Sequence, residues 1–341
     1  MNGTQSAIVV ERWTDTVASE ENFVEAQVPV RTPEPGEFLV RVAYLSMDPS
    51  MRSYVHTVAS FWPQVPPGDV MAGPGLGQVV ESRAVGFLPG EYVYGPLGWR
   101  EYATIPATSV QFRPDPAVAP LRAFMGVLGT TGVTAWCGIE HIADAGAGET
   151  VLVTTAAGAV GSVAVRLAKL RGARVVGVTG TDEKAAYLME ELGADAAINY
   201  RAGDLGGALA EAAPGGIDVF FDNVGGAQLD AGLRAMNRHG RIVVCGTISQ
   251  PNVVTPSDGP RVERAILVKQ LRLQGLLVSN YLHLHDRARR ALAHRLTAGE
   301  LPVRDDVLDG LSMAPRGLAR VLTGENVGKQ SVRVWDPANG P

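Results

Sequence analysis

The chain has 341 residues, 46% hydrophobic and 19% charged, and its 30 basic and 35 acidic side chains leave a net charge of −5. That length predicts two domains, and the lack of any long basic run excludes the electrostatic footprint of a nucleic-acid binder. Forty glycines without a three-residue period exclude collagen, and two cysteines, Cys137 and Cys245, exclude a disulfide framework or a Cys-rich zinc site.

No stretch reaches the ~18 consecutive apolar residues of a membrane span. The opening Met1–Ser6 shows no basic segment leading into an apolar run, so no signal peptide is expected. A cytoplasmic protein without membrane contact is the expectation.

Up to about Pro120 the chain shows short β-like runs broken by Pro and Gly: Ala7–Trp13, Phe38–Ser46, Gly77–Glu81, Glu91–Gly95 and Arg100–Ile105. Such texture predicts an irregular β-rich domain, with Pro114, Pro116 and Pro120 as a boundary. From Thr150 the rhythm becomes strand, helix, strand. The predicted strands are Thr150–Thr154, Arg174–Val178, Ala196–Asn199, Ile217–Phe221, Arg241–Cys245 and Leu271–Val278. Several are continuous Val, Ile, Leu and Phe runs, as expected of strands covered on both faces. Helices are predicted at Gly161–Arg171, Glu183–Leu192, Asp204–Ala213, Ala227–Asn237 and Val262–Lys269, followed by Asp286–Ala298. This alternation predicts an α/β doubly wound parallel sheet. The last strand-like run, Gln330–Trp335, has no place in that sheet and is expected to return to the first domain.

The strongest local signal is Val151-Leu152-Val153-Thr154-Thr155-Ala156-Ala157-Gly158-Ala159-Val160-Gly161. A buried strand enters a small-residue turn and leaves as a helix. A diphosphate at such a turn meets free backbone N–H groups and the positive helix end. The glycine pattern is incomplete, since Ala156 stands at the first glycine position. A tight βα turn needing glycine only for packing is the alternative.

The second strand of this unit bears on which dinucleotide is bound. It ends Val178-Thr179-Gly180-Thr181, without the acid that would bond a ribose hydroxyl. Asp182 and Glu183 follow, but in a pattern that reads as a helix N-terminus. Lys184 can reach a 2′-phosphate, and Gly180 leaves room for it; a solvated helix cation is the alternative. The balance favours NADPH over NADH. The later strands end Phe221-Asp222-Asn223-Val224-Gly225-Gly226 and Val244-Cys245-Gly246-Thr247, and strand C-termini are where this fold binds ligands. Cys245 reads as a small packing residue rather than a nucleophile.

Together with Ser46–Arg52, Asn199-Tyr200, Gly240–Gln250 and Gly324–Lys329, these motifs resemble the zinc-independent, NADPH-dependent double-bond reductases of the medium-chain dehydrogenase/reductase superfamily. The resemblance spans nearly the whole chain. It implies a GroES-like domain over residues 1–122, completed by 304–341, around a Rossmann domain over 123–303. It implies that Ala157, Gly158, Val160, Gly161 and Ser162 cradle the diphosphate and that Lys184 and Tyr200 hold the 2′-phosphate. Asn223, Cys245, Gly246, Thr247, Ile248 and Ser249 would line the cofactor groove. Thr134, Leu276, Leu277, Val278 and Asn326 would meet the nicotinamide side. It further implies a homodimer and an enone or enal substrate.

Where zinc-using relatives carry Gly-His-Glu, this chain has Gly73-Pro74-Gly75, and Met47-Asp48-Pro49 replaces an early cysteine ligand. His283 and His285 could share one face of a strand, but no third ligand is evident, so no metal is expected. Hydride addition to an already activated C=C needs no Lewis acid, only orientation and a donor for the developing enolate.

Three positions depart from the family pattern. Val268 and the segment Gln250-Pro251-Asn252 lack tyrosines found in relatives, and Thr130-Thr131 replaces a Met-Pro pair. Tyr54 and Tyr281 are the candidate replacement hydroxyls, with an ordinary packing role as the alternative for each. A quinone oxidoreductase, a tailoring enoyl reductase and a non-catalytic NADPH-binding protein are the competing readings.

Overall fold

The computed structural model describes residues 3–59, 62–250, 259–302 and 304–337. The chain divides into two compact units, one formed by residues through Met125 and from Asp305 onward, the other by Gly126–Gln250 and the described residues up to Arg304.

In the first unit β1 (Thr4–Val10) pairs antiparallel with β2 (Phe23–Pro29), Thr4 opposite Pro29 and Val10 opposite Phe23. The long β3 (Glu37–Ser46) is the hub of a second sheet. It pairs antiparallel with β4 (Gly75–Ser82), which also pairs with β5 (Tyr92–Gly95), and again with β6 (Tyr102–Pro106). Val40, Val42, Leu45, Val79 and Val93 from these strands join Trp99 and Phe38 in one buried core. Burying that apolar set, at ~25 cal/mol per Å2, is the main force holding so irregular a sheet.

The second unit opens with α1 (Thr130–Trp136), which widens into a π-helical turn over Cys137–Ile142. Then β7 (Thr150–Thr154), α2 (Ala159–Leu170), β8 (Arg174–Thr179), α3 (Asp182–Glu190), β9 (Ala196–Asn199), α4 (Leu205–Ala212), β10 (Ile217–Asp222), α5 (Gly226–Ala235), β11 (Met236–Val244), α6 (Glu263–Lys269) and β12 (Arg272–Gly275) follow. The six strands form one sheet in the order β12-β11-β10-β7-β8-β9, all neighbours parallel. The chain reverses direction across the sheet between β7 and β10, which makes their carboxyl ends the expected ligand crevice.

Both faces of this sheet are covered, and β10 shows how. Phe220 and Phe221 are adjacent, so they point to opposite faces, and both are fully buried. A Cβ on Gly232 of α5 would lie 2.2 Å from the Phe220 ring, and one on Gly138 would lie 2.2 Å from the Phe221 ring. Each phenylalanine fills a notch left by a glycine on the helix above it.

The chain continues through a 3-10 turn, Val278–Tyr281, into α7 (Leu282–Thr297). It then returns to the first unit as β13 (Asp305–Asp309), α8 (Ala314–Thr323) and β14 (Lys329–Arg333). The strand-like tail pairs antiparallel with β3, Ser331 opposite Ser46, and parallel with β13.

Several elements differ from the sequence expectation, and β2, β13 and α8 were not expected. The helix expected to reach Asn237 stops at Ala235, and β11 begins at once with Met236. Met236 is buried, and the Asn237 amide donates to Asp218 Oδ1 and Gly215 O, so tertiary contacts extend the strand backwards. The strand expected over Leu271–Val278 pairs only from Arg272 to Gly275, where its partner β11 ends at Val244. α7 starts at Leu282 rather than Asp286, so His283 and His285 lie on a helix. Two residues apart on a helix, they diverge by about 200° and share no face. β2 was not foreseen, because Phe23–Pro29 alternates too weakly; it forms against the apolar β1.

Candidate functional site

The turn after β7 is built for close approach to its own backbone. A Cβ on Gly161 would fall 2.2 Å from Thr155 O, so only glycine lets α2 start there. Gly158 N–H donates to Thr155 O at 2.9 Å, and Ser162 N–H donates to Gly158 O at 2.9 Å. The N–H groups of the first α2 turn, which include Val160 and Gly161, have no carbonyl one turn back to bond and face outward. Ala157 is buried and Gly158 caps the helix. Thr155 adopts φ +49°, a left-handed conformation that strains a β-branched residue. This strained turn beside a helix N-terminus is a cradle that fits a diphosphate.

The tips of β7, β10 and β11 are tied together through one buried aspartate, its carboxylate and its backbone carbonyl. Asp222 is fully buried. Its Oδ1 accepts from the Thr154 hydroxyl at 2.7 Å and from Val224 N–H at 3.0 Å, and its Oδ2 accepts from Gly225 N–H at 2.9 Å. Its carbonyl accepts from Cys245 N–H at 2.8 Å and Gly246 N–H at 3.2 Å. Burial raises its pKa, and the Thr154, Val224 and Gly225 donors pull it back. Asn223 is oriented by two bonds to Thr154, N–H to Oγ1 at 2.8 Å and Nδ2 to the carbonyl at 2.7 Å. Gly225 sits at φ +72°, and Ser249 donates its hydroxyl to Val224 O at 2.6 Å. Thr247 and Ser249 are exposed, and Cys245, Gly246 and Ile248 are half-buried. The structure thus brings Asn223, Cys245, Gly246, Thr247, Ile248 and Ser249 to one rim. Leu276 joins through its N–H to Val244 O at 2.9 Å, with Leu277 and Val278 leading away from it. Burial, then the Asp222 charge, pushes the Cys245 thiol up to about 12, which keeps it protonated and unreactive.

Next to this rim, β8 and β9 end beside the first turn of α3. Thr181 caps the helix by accepting from Lys184 N–H at 3.3 Å. Asp182 Oδ1 accepts from Asn199 Nδ2 at 2.8 Å, so the nearest acid is engaged within the protein. Tyr200 N–H donates to Thr179 O at 3.0 Å, and Tyr200 is partly exposed. A Cβ on Gly180 would sit 3.3 Å from the Tyr200 ring. The Lys184 turn, Gly180 and Tyr200 therefore frame one open surface, with the Asp182 carboxylate turned to Asn199. That set fits a phosphate better than a neutral sugar edge.

Thr134 lies in α1, buried, with its hydroxyl proton donated to Thr130 O at 2.8 Å; its oxygen remains an acceptor. Tyr281 belongs to the same unit, and its hydroxyl accepts from Gln274 Nε2 at 2.9 Å, leaving its own proton to donate.

In the first unit Tyr54 sits on the 3-10 turn Pro49–Val55. Burial, then the Asp48 charge, raises its pKa and keeps the phenol protonated. That turn is anchored by a second unforeseen feature. Lys329 Nζ, buried at 3% exposure, donates to Asp48 Oδ1 at 2.8 Å and to Met47 O at 2.9 Å. Asp48 Oδ2 accepts from the Ser46 hydroxyl at 2.6 Å. The two motifs Ser46–Arg52 and Gly324–Lys329 are thereby one structure. Asn326 caps its own loop, Nδ2 to Gly328 O at 2.9 Å, leaving its carbonyl oxygen available.

Among the described residues no group of three or more His, Cys, Asp or Glu could hold a metal ion. Of the departures from the family pattern, Val268 is exposed on α6, and Pro251-Asn252 lies outside the described residues.

Family models match two segments, one described as an N-terminal domain of oxidoreductase over residues 6–112 and one as zinc-binding dehydrogenase over 159–295. The chain is 37% identical over 319 residues to a 2-alkenal reductase (NADP(+)-dependent) of Nicotiana tabacum, covering 93% of each chain. It is 36% identical to the NADPH-dependent curcumin reductase of Escherichia coli, covering 92% of each. The crystal structure of CurA from Vibrio vulnificus in complex with NADPH superposes with a TM-score of 0.89 at 33% identity, covering 97% of this chain and all of that one. The chain belongs to the medium-chain dehydrogenase/reductase superfamily, in the branch that holds these double-bond reductases.

Proposed function

We propose that this protein is an NADPH-dependent reductase of the C=C bond in α,β-unsaturated ketones and aldehydes. The observation that carries this reading is the joined rim of β7, β10 and β11 beside an open surface framed by Lys184, Gly180 and Tyr200. Relatives named as alkenal, curcumin and prostaglandin reductases support the substrate class.

In this reading Ala157, Gly158, Val160, Gly161 and Ser162 hold the diphosphate through backbone N–H groups and the α2 N-terminus. Lys184 and Tyr200 hold the 2′-phosphate. Asn223 and residues 245–249 line the groove, and Thr134, Leu276–Val278 and Asn326 receive the nicotinamide. When bound, NADPH supplies the hydride. Tyr54 then serves as a hydroxyl donor to the substrate carbonyl, because its raised pKa keeps its proton over the whole working range. Tyr281, with its oxygen already satisfied by Gln274, is the second donor candidate.

The test is NADPH consumption with a panel of enones, enals and quinones. Tyr54→Phe is expected to lower kcat for enones roughly 10- to 100-fold while leaving NADPH binding unchanged. Full turnover by that variant excludes the role. Oxidation of NADPH by quinones and not by any enone overturns the substrate class.

The quaternary state is proposed to be a homodimer. Among the described residues β12 has a partner on one side alone, its four residues are exposed, and a groove of about 430 Å3 runs beside it, lined by Ile142, Arg241 and Leu271–Gln274. An open edge of this kind invites pairing with a second strand. Light scattering of the purified protein checks it, and a monomer at micromolar concentration rejects it. No helix among the described residues is long and apolar enough to cross a membrane. Both cysteines are free thiols, which accords with a cytoplasmic setting.

A further inference from the structure

Arg201 was not singled out by its sequence neighbourhood, yet the fold sets it against the open surface that Lys184 and Tyr200 frame. It follows Tyr200 directly at the end of β9. Its Nε donates to the Tyr200 hydroxyl at 3.3 Å, and its guanidinium carbon lies 5.6 Å from the Tyr200 ring centre. A Cβ on Gly180 would meet Arg201 Nε at 3.4 Å and Cζ at 3.6 Å. The guanidinium therefore rests close to the β8 tip, within van der Waals reach of any side chain placed at 180.

Its backbone is fixed as well. Arg201 N–H donates to Asn199 Oδ1 at 3.1 Å, and Asn199 in turn donates to Asp182 at the start of α3. This relay ties the β9 tip to the helix that carries Lys184 and occupies the Asp182 carboxylate. Arg201 itself makes no ion pair among the described residues, and it is exposed. A guanidinium held on its Nε edge by a tyrosine, with its two terminal nitrogens unsatisfied, presents a fork that matches two oxygens of a phosphate.

We propose that Arg201 is a specificity-determining residue of the cofactor site: its terminal nitrogens grip the adenosine 2′-phosphate beside Lys184 and Tyr200, and it sets the preference for NADPH over NADH. This rests on the NADPH reading above and adds to it. Lysine is a flexible point charge, whereas the braced arginine imposes geometry, so the discrimination is assigned chiefly to Arg201.

The experiment measures binding, not turnover. Titration calorimetry with NADPH, NADH and adenosine 2′,5′-bisphosphate is run on the wild type, Arg201→Ala and Arg201→Lys, with a melting curve for each. Arg201→Ala is expected to weaken NADPH and adenosine 2′,5′-bisphosphate roughly 10- to 100-fold and to leave NADH within about twofold. Arg201→Lys is expected to recover part of that loss. The salt dependence of NADPH binding is expected to flatten in Arg201→Ala. Loss of less than about threefold for NADPH, or an equal loss for NADPH and NADH at unchanged melting temperature, overturns the proposal. Wild-type protein that binds NADPH tightly but reduces no enone defeats the proposed activity and leaves this inference standing. Wild-type protein that prefers NADH defeats it.

Discussion

The two units build their candidate surfaces by opposite means. In the second unit the surface is mostly backbone: N–H groups at the start of α2, glycines at 158, 161 and 225, and strand tips set by parallel register. In the first it is a turn bearing Tyr54, held by a side-chain pair, Asp48 and Lys329, 281 positions apart in the chain. A backbone site tolerates many side chains but few changes of chain path. A side-chain clamp allows the turn above it to vary, and it fails when one partner is lost.

The sharpest way to break that contrast is to remove Lys329. Lys329→Met leaves Asp48 largely buried without its cation and is expected to cost about 3–4 kcal/mol in chemical denaturation. The pair Asp48→Asn with Lys329→Met is expected to recover at least half of that. If the double variant is no more stable than Lys329→Met, the pair is not the clamp.

Asp222→Asn tests the other side. One amide edge would then face the Gly225 N–H donor, for an expected loss of about 1–3 kcal/mol together with weakened NADPH binding by fluorescence. Lost stability with wild-type binding would show that the rim needs no such tie.

Asp305 offers a pH handle within the first unit. Burial pushes its carboxyl up to about 6, against the opposing charges of Arg122 and Lys329. The native pKa lies above the unfolded value of about 3.9, so the folded state binds the extra proton. The stabilising contribution is full below about pH 4 and is lost as pH rises through 6. Asp305→Asn is therefore expected to melt higher than the wild type above pH 6, by about 1–2 kcal/mol, and to lose that advantage near pH 4. A constant difference across that window would remove the assignment.

The smallest expected effect is at Thr155. Glycine relieves the left-handed strain but adds unfolded-state freedom, so Thr155→Gly is expected to lie between neutral and about 1 kcal/mol more stable. A loss above 1 kcal/mol would mean that the threonine side chain, and not the chain path alone, matters to the turn.

Much of the proposed cofactor surface is readable from sequence because its signals are local. Gly158 and Gly161 stand within one turn of a Val-Leu-Val strand, and the Thr181 cap and Lys184 follow the next strand directly. The six parallel strands announced themselves by continuous apolar runs. The task of Asp222 is hidden in the sequence, since a buried acid at a strand end gives no periodic signal; an acid closing the apolar run Val219–Phe221 before Asn-Val-Gly-Gly is the sole clue. Lys329 stands within the Gly324–Lys329 motif, and Arg201 beside Tyr200, with no local signal for the partner that either finds.

The alternation of strands and helices, the glycine turn after β7 and the lack of an acid at the tip of β8 can be read from the chain directly, because each depends on residues within a few positions of one another. Only the tertiary structure decided that β14 pairs with β3 and that His283 and His285 part company on a helix. It alone decided that Lys329 reaches Asp48 and that Arg201 leans on Tyr200 and Gly180. Those outcomes turn on which strand edges and buried charges find partners across the chain. Local propensity carries no record of a partner more than two hundred residues away, nor of the direction a side chain takes once the sheet has formed.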